Sequence, residues 1–304
     1  MGVVAFVYPG QGSQYVGMGK DLYEQNPLAK ELFQKADDML GISLSSICFN
    51  GPEEELRRTK NTQPAIFLHS VILTKLLRYR PAMVAGHSLG EYSALVCSGA
   101  ISFEDGLKLV RLRGELMQRA GEEHPGTMAA IIGLEGYVIE DICREASMAG
   151  IVQPANFNSP GQVVVSGSIP GVRKSMELAK ARGAKITKEL VVSGAFHSQL
   201  MQSAGDGLRK TLATINIFDI EIPVYANVTA QPVKAAEEIR DLLYRQLLNP
   251  VRWEESIRSM VKNGATRFIE VGPGKVLQGL VKRISPAVEI SGIDTFQEYQ
   301  AAKG

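Results

Sequence analysis

The chain has 304 residues, 45% of them apolar and 21% charged, with a formal net charge of +1. That balance fits a globular enzyme with a substantial core, as one large domain or a large domain carrying a smaller one. It excludes a nucleic-acid-binding surface spread over the whole chain.

Val3 to Val7 is a continuous β-branched and aromatic run, which predicts a buried strand. The run stops at Pro9 and no basic residue precedes it, so no signal peptide is expected here. Pro9 to Gly19 follows as a glycine-rich turn. Gly10-x-Gly12 begins like a dinucleotide fingerprint, but Tyr15 stands where the third glycine belongs and no acid-ended strand follows. No Gly-Lys-Ser/Thr completes a phosphate loop either. The turn is better suited to bringing a backbone N–H, that of Gln11, close to a substrate oxygen. Helices are predicted over Pro27–Leu40 and Asn61–Tyr79, with His69 as a core histidine among Ile66, Leu68, Ile72 and Leu73.

Met83 to Ala85 reads as the end of a buried strand and Leu89 to Cys97 as a helix. Between them lies Gly86-x-Ser88-x-Gly90, the pattern of a nucleophile elbow. A serine on so tight a strand-to-helix turn needs neighbours two residues away that lack a Cβ. The turn would present Ser88 Oγ outward and aim the first helical N–H, that of Leu89, at an oxygen above it.

The helix predicted over Ser102–Ala120 turns Leu109, Val110, Leu112, Leu116, Met117 and Ala120 to one face. Arg113 projects from the middle of that face, while Arg111 points away. An unpaired buried guanidinium costs several kcal/mol, so Arg113 calls for an anion. That anion is an internal carboxylate, unless the side chain snorkels to the edge, or it is a carboxylate-bearing substrate held in a bidentate pair.

From about Gly126 to Ser193 the units shorten to strand, helix, strand, strand, helix, strand. This is the ferredoxin-like order, and it predicts a small subdomain over 126–193 inserted in a large α/β subdomain of 1–125 and 194–304. The loop Asn156-Phe157-Asn158-Ser159-Pro160-Gly161 is expected to wall the cleft between the two, with Asn156 facing ligand. His197 closes the last of these strands as the chain returns, and is the best placed of four histidines for a general base. Beyond it the pattern gives a strand over Ile222–Asn227, a helical stretch Glu237–Lys262, a strand Thr266–Val271, a helix to Ile284 and a final strand Val288–Ile293. Cys48, Cys97 and Cys143 lie far apart with no CxxC, which suggests a reducing compartment and no structural metal. No apolar run approaches membrane-spanning length, and a cytoplasmic location is expected.

These residues together resemble the malonyl-CoA:acyl carrier protein transacylase family. The likeness runs in order through Tyr8–Gln14, Gly86–Glu91, Arg111–Gly114, Asn156–Gln162, Gly194–Ser198, Gln246–Trp253 and Glu270–Gly274. It implies a hydrolase-like α/β large subdomain with a mainly parallel sheet and a ferredoxin-like insertion. It also implies Ser88 as nucleophile, His197 as its base, Arg113 as anchor of the malonyl carboxylate, and the Leu89 and Gln11 N–H groups as oxyanion hole. Gln246 matches a residue whose main-chain carbonyl orients the histidine, which answers the lack of an obvious acidic third member. Met117, Asn156 and Phe196 are the other expected substrate contacts, Phe196 within an Ala-Phe-His segment like that of malonyl-selective polyketide acyltransferases. The implied partners are malonyl-CoA and acyl carrier protein, with no metal, cofactor, nucleic acid or membrane, and a monomeric chain. A serine hydrolase or thioesterase, a polyketide-synthase acyltransferase and a non-catalytic carrier-binding protein are the alternatives.

Overall fold

Strand β1 (Val3–Tyr8) is buried in all but its first residue, as its unbroken apolar run requires. It is the entry to a computed structural model that describes residues 2–77 and 79–302. Four short helices follow: α1 (Lys20–Gln25), α2 (Pro27–Leu40), α3 (Leu44–Asn50) and α4 (Glu53–Arg57). Then come the long α5 (Thr59–Leu76), β2 (Met83–Gly86), α6 (Gly90–Ser98) and α7 (Phe103–Glu123). Local chemistry sets the helix starts. Asn26 accepts N–H bonds from Leu28 and Ala29 with Pro27 in the first turn of α2, and Ser102 caps α7 through the Asp105 N–H.

Next are β3 (Gly126–Ile132), α8 (Gly136–Ala146), β4 (Val152–Ser159), β5 (Gln162–Ser168), α9 (Ile169–Ala181) and β6 (Ile186–Glu189). The chain returns through α10 (Gln202–Leu212), β7 (Val224–Tyr225), β8 (Pro232–Val233), α11 (Ala236–Gln246) and α12 (Trp253–Lys262). It finishes with β9 (Ala265–Val271), α13 (Val276–Ile284), β10 (Glu289–Ile293) and α14 (Phe296–Ala302).

The first sheet has the order β10-β9-β1-β2-β7-β8 and is parallel except for the β7–β8 pair. The last residues of β1 and β2, Tyr8 and Gly86, stand opposite each other in register. The loops carrying Gln11 and Ser88 therefore leave the sheet side by side, at the carboxyl ends of strands where open α/β sheets bind ligands. The second sheet is antiparallel in the order β4-β5-β3-β6, the ferredoxin-like arrangement, and α8 and α9 pack with it over an apolar cluster that includes Ile131, Ile139, Val163 and Val172. The fold is thus the expected mixed α/β one, with a parallel sheet and an inserted ferredoxin-like unit. The small sheet is tied by main chain to the segment between α11 and α12: Val251 N donates to Ala155 O at 2.8 Å and Phe157 N to Val251 O at 2.9 Å.

Several elements differ from the sequence expectation. The stretch Glu237–Lys262 is two helices, because Pro250 lacks an N–H and turns Asn249 away from helical geometry. The expected loop from Asn156 is strand as far as Ser159, and only Pro160 and Gly161 turn the hairpin, with φ 69° at Gly161. The strand expected to reach Val192 ends at Glu189; Leu190 N still donates to Met128 O at 2.8 Å, and Leu190 and Val192 line the cleft. His197 accordingly closes no strand; it sits in an irregular segment at φ 57°. The strand Ile222–Asn227 shrinks to Val224–Tyr225, and α14 follows no pattern read in advance. Position 78 within the expected helix, and positions 1, 303 and 304 at the ends of the expected large subdomain, lie outside the described residues.

Helix α7 reaches the site because Gly114 lets it approach α5 closely. A Cβ there would lie 2.7 Å from Thr59 O and 2.8 Å from the Lys60 Cα, both backbone atoms. Overpacking of this kind costs about 1–3 kcal/mol, more than the roughly 1 kcal/mol of helix propensity gained over glycine. Gly114→Ala is therefore expected to lower the urea midpoint, with a net loss of up to about 2 kcal/mol in equilibrium unfolding.

Candidate active site

The elbow between β2 and α6 holds Ser88 at φ 50°, a left-handed conformation that costs a residue with a Cβ about 1–3 kcal/mol. Both flanking glycines are sterically required. A Cβ on Gly86 would sit 1.9 Å from the Gly90 carbonyl carbon, and one on Gly90 would sit 2.1 Å from Tyr8 O. The strain is held from below by Asn227, which follows β7. Its Oδ1 accepts the Ser88 N–H at 2.7 Å, and its Nδ2 donates to Gly86 O at 2.7 Å.

Ser88 Oγ lies 2.8 Å from His197 Nε2, and His197 Nδ1 lies 2.8 Å from the main-chain oxygen of Gln246. A carbonyl only accepts, so Nδ1 carries the proton and Nε2 presents its lone pair to the serine hydroxyl. The carbonyl is available because α11 stops at Gln246 ahead of Asn249-Pro250, leaving a last-turn oxygen without a helical partner. The small sheet holds the histidine as well: Gln153 Nε2, on β4, donates to His197 O at 3.0 Å and to Leu248 O at 3.1 Å. Burial first, and the positive charge of Arg113 second, pull the His197 pKa from its ordinary value down to about 3. The imidazole is neutral throughout the physiological range.

Arg113 is fully buried, as the apolar face of its helix predicts. Its Nη1 donates to Gln63 Oε1 at 2.9 Å, and its Nη2 donates to Ser88 Oγ and Gln246 Oε1, each at 3.0 Å. The guanidinium also lies 5.5 Å from the centre of the Tyr92 ring. Neither an internal ion pair nor snorkelling accounts for it: among the described residues no carboxylate touches it, and its Nε is buried with no partner. All its contacts are neutral acceptors or a ring face.

A cavity of about 140 Å³ gathers eight of the nine residues singled out from sequence: Gln11, Ser88, Leu89, Arg113, Met117, Asn156, Phe196 and His197. Gln246 lies behind it, touching the serine, the histidine and the arginine. Among the described residues the backbone N–H groups of Gln11 and Leu89 find no acceptor in the protein, and both border the cavity. A wider groove continues outward, sharing Gln11, Leu190 and Val192 with the cavity and adding Arg57 and Arg58. His87 points away from the serine, its Nε2 donating to Asn158 Oδ1 at 2.8 Å beside Trp253. No group of three or more His, Cys, Asp or Glu suited to a metal ion occurs among the described residues.

Sequence reasoning missed Gln63, Glu91, Asn227, Gln153, Met128 and the Leu190–Val192 wall. Glu91 carries a faint signal, an acid in the first turn of a helix otherwise buried on all sides. Gln63 stands between polar Asn61-Thr62 and apolar Ala65-Ile66, beside Pro64, where a helix start explains it. Asn227 and Gln153 meet the site only through tertiary contacts.

A serine paired with a neutral histidine at the carboxyl end of a parallel sheet is the constellation of enzymes that form an acyl-serine. Comparison with known proteins narrows the class. Residues 5–292 match the acyl transferase domain, and the chain belongs to that family. It is 47% identical to a malonyl CoA-acyl carrier protein transacylase of Bacillus subtilis (strain 168), over 94% of this chain and 91% of the relative. It is 46% identical to the one of Escherichia coli (strain K12), with 95% of each covered. Among solved structures, an acyl carrier protein S-malonyltransferase from Vibrio cholerae superposes with a TM-score of 0.95 at 44% identity, covering 99% of both chains. A malonyl-transacylase in complex with its type II polyketide synthase acyl carrier protein superposes equally well, at 42% identity over 98% of both.

The depressed His197 pKa has a kinetic consequence. The kcat/KM profile reports ionisations of the free enzyme, so a histidine lowered to about 3 loses its lone pair only near that pH. For an uncharged acyl group, kcat/KM is expected to stay level from about pH 5 to 8, without the limb near pH 6.5 that an ordinary histidine base gives.

Proposed function

We propose that this protein moves a malonyl group from malonyl-CoA to the phosphopantetheine thiol of acyl carrier protein, in fatty-acid synthesis, through a malonyl-serine intermediate. The observation that carries it is Arg113, a buried cation beside the serine whose protein contacts are all neutral. A guanidinium that has given up water for weak acceptors is set to take a carboxylate in a bidentate pair. A simple esterase pocket has no use for it. Malonate carries its free carboxylate one methylene from the thioester carbon, a length that suits an arginine nitrogen 3.0 Å from the attacking oxygen.

His197 Nε2 takes the Ser88 proton as Oγ attacks the thioester carbonyl. The oxyanion forms opposite the free N–H groups of Gln11 and Leu89, and each such donor is worth about 3 kcal/mol in the transition state. Collapse expels the coenzyme thiolate, protonated by His197, and leaves malonyl on Ser88. The carrier's thiol, reaching in through the groove past Leu190 and Val192, then gives its proton to His197 and attacks the ester carbonyl. The second tetrahedral species collapses to malonyl-carrier, and Ser88 recovers its proton from His197. None of these steps needs a metal or a redox cofactor. The cytoplasm, where Cys48, Cys97 and Cys143 stay free thiols, is the compartment that fits, and a single chain holds every group the cycle uses.

Two measurements test this. Incubation with malonyl-CoA alone should add one malonyl group by intact mass, mapping to Ser88; absence of the adduct ends the proposal. Arg113→Ala should lower malonyl kcat/KM about thirtyfold or more, the equivalent of losing at least about 2 kcal/mol of a buried charge pair. It should retain or improve transfer of uncharged acyl groups, and an unchanged preference for malonyl would remove Arg113 from the anchor role.

A further inference from the structure

Glu91 is a buried acid, 3% exposed, that the cycle above does not use. It follows the nucleophile by three residues, in the first turn of α6, and makes no ion pair among the described residues. Its Oε2 accepts two hydrogen bonds, from Gln246 Nε2 at 2.8 Å and from the Asn227 N–H at 3.0 Å. Gln246 Nε2 also donates to Ser88 O at 3.0 Å, so both amide protons of Gln246 are committed to the α6 side. Its Oε1 is thereby turned to Arg113 Nη2. A primary amide has two nearly isosteric orientations, and only one of them offers an oxygen to the guanidinium. The other would set N–H against N–H.

We propose that Glu91 is a positioning residue for acyl-group selection: as an acceptor-only carboxylate it fixes the orientation of the Gln246 amide, and through it the guanidinium that meets the acyl carboxylate. The assignment rests on Arg113 being the carboxylate anchor. A carboxylate suits the task better than an amide because it has no N–H to offer Gln246 in the flipped state. Its charge also faces Arg113 across the amide, so cation, dipole and anion are aligned in one row. Desolvation holds the Glu91 pKa up, at about 7, while the bonds from Gln246 and Asn227 and the charge of Arg113 oppose that rise. Those three influences favour the ionised form but offset only part of the desolvation.

Glu91→Gln separates orientation from packing. One oxygen, in the place of Oε2, can still accept from Gln246 and Asn227, but the new N–H₂ can also donate to a flipped Gln246, so the flip is opposed only by Ser88 O and Arg113. Initial rates would be measured with malonyl-CoA and with acetyl-CoA, which lacks the carboxylate, in the wild type, Glu91→Gln, Arg113→Ala and the double variant. Thermal melting of each variant confirms the folded state. The expected result is a fall of about tenfold in the malonyl-to-acetyl kcat/KM ratio for Glu91→Gln, and no further change in that ratio when it is added to Arg113→Ala. Equal losses for both donors would overturn the proposal and leave Glu91 as a support of the elbow. An unchanged ratio, or a ratio that falls again in the Arg113→Ala background, would overturn it too. If Arg113→Ala alone keeps the malonyl preference, the anchor role fails first, and the two failures are distinct.

Discussion

A cation buried against neutral partners governs this molecule. Desolvating a guanidinium costs several kcal/mol, and the contacts Arg113 makes with Gln63, Gln246, Ser88 and the Tyr92 ring return only part of that. The remainder is a standing electrostatic demand, placed within hydrogen-bond reach of Ser88 Oγ. It also explains the neighbourhood: a histidine next to such a charge is held neutral, which is what a general base must be, and no carboxylate is needed to orient it. A main-chain carbonyl supplies direction without adding a charge that would neutralise the arginine.

The same demand accounts for where the polar residues lie. Gln246 serves three neighbours with one residue: its carbonyl holds His197, its side-chain oxygen meets Arg113, and its amide protons reach Ser88 O and Glu91. Asn227 bonds to both sides of the strained serine turn. Each is a neutral amide, able to give and accept at once.

The elbow, the arginine and the histidine were legible in the sequence because each leaves a local mark. Glycines two residues either side of Ser88 are forced by backbone contact, and Arg113 interrupts an apolar stripe that a helix of period 3.6 otherwise completes. The strand order of the small sheet was legible for the same reason, since alternating short elements admit few arrangements. Gln153, Asn227 and the wall at Leu190–Val192 were not, because their meaning lies in contacts between segments far apart in the chain. The broken helix at Pro250 stands between these cases: the proline was visible, but its use, freeing one carbonyl for a histidine 49 residues away in sequence, was not.

The seam between the inserted sheet and the segment joining α11 to α12 has a mechanical meaning. Ala155 and Phe157 of the inserted sheet exchange main-chain hydrogen bonds with Val251, and Gln153 of the same strand grips the carbonyls of His197 and Leu248. Both attachments fall within a few residues of His197 or of the Gln246 carbonyl that meets its ring. The insertion is therefore a bearing for the His197 imidazole. A version of this chain trimmed to its parallel sheet would keep its serine and lose the seat of its histidine.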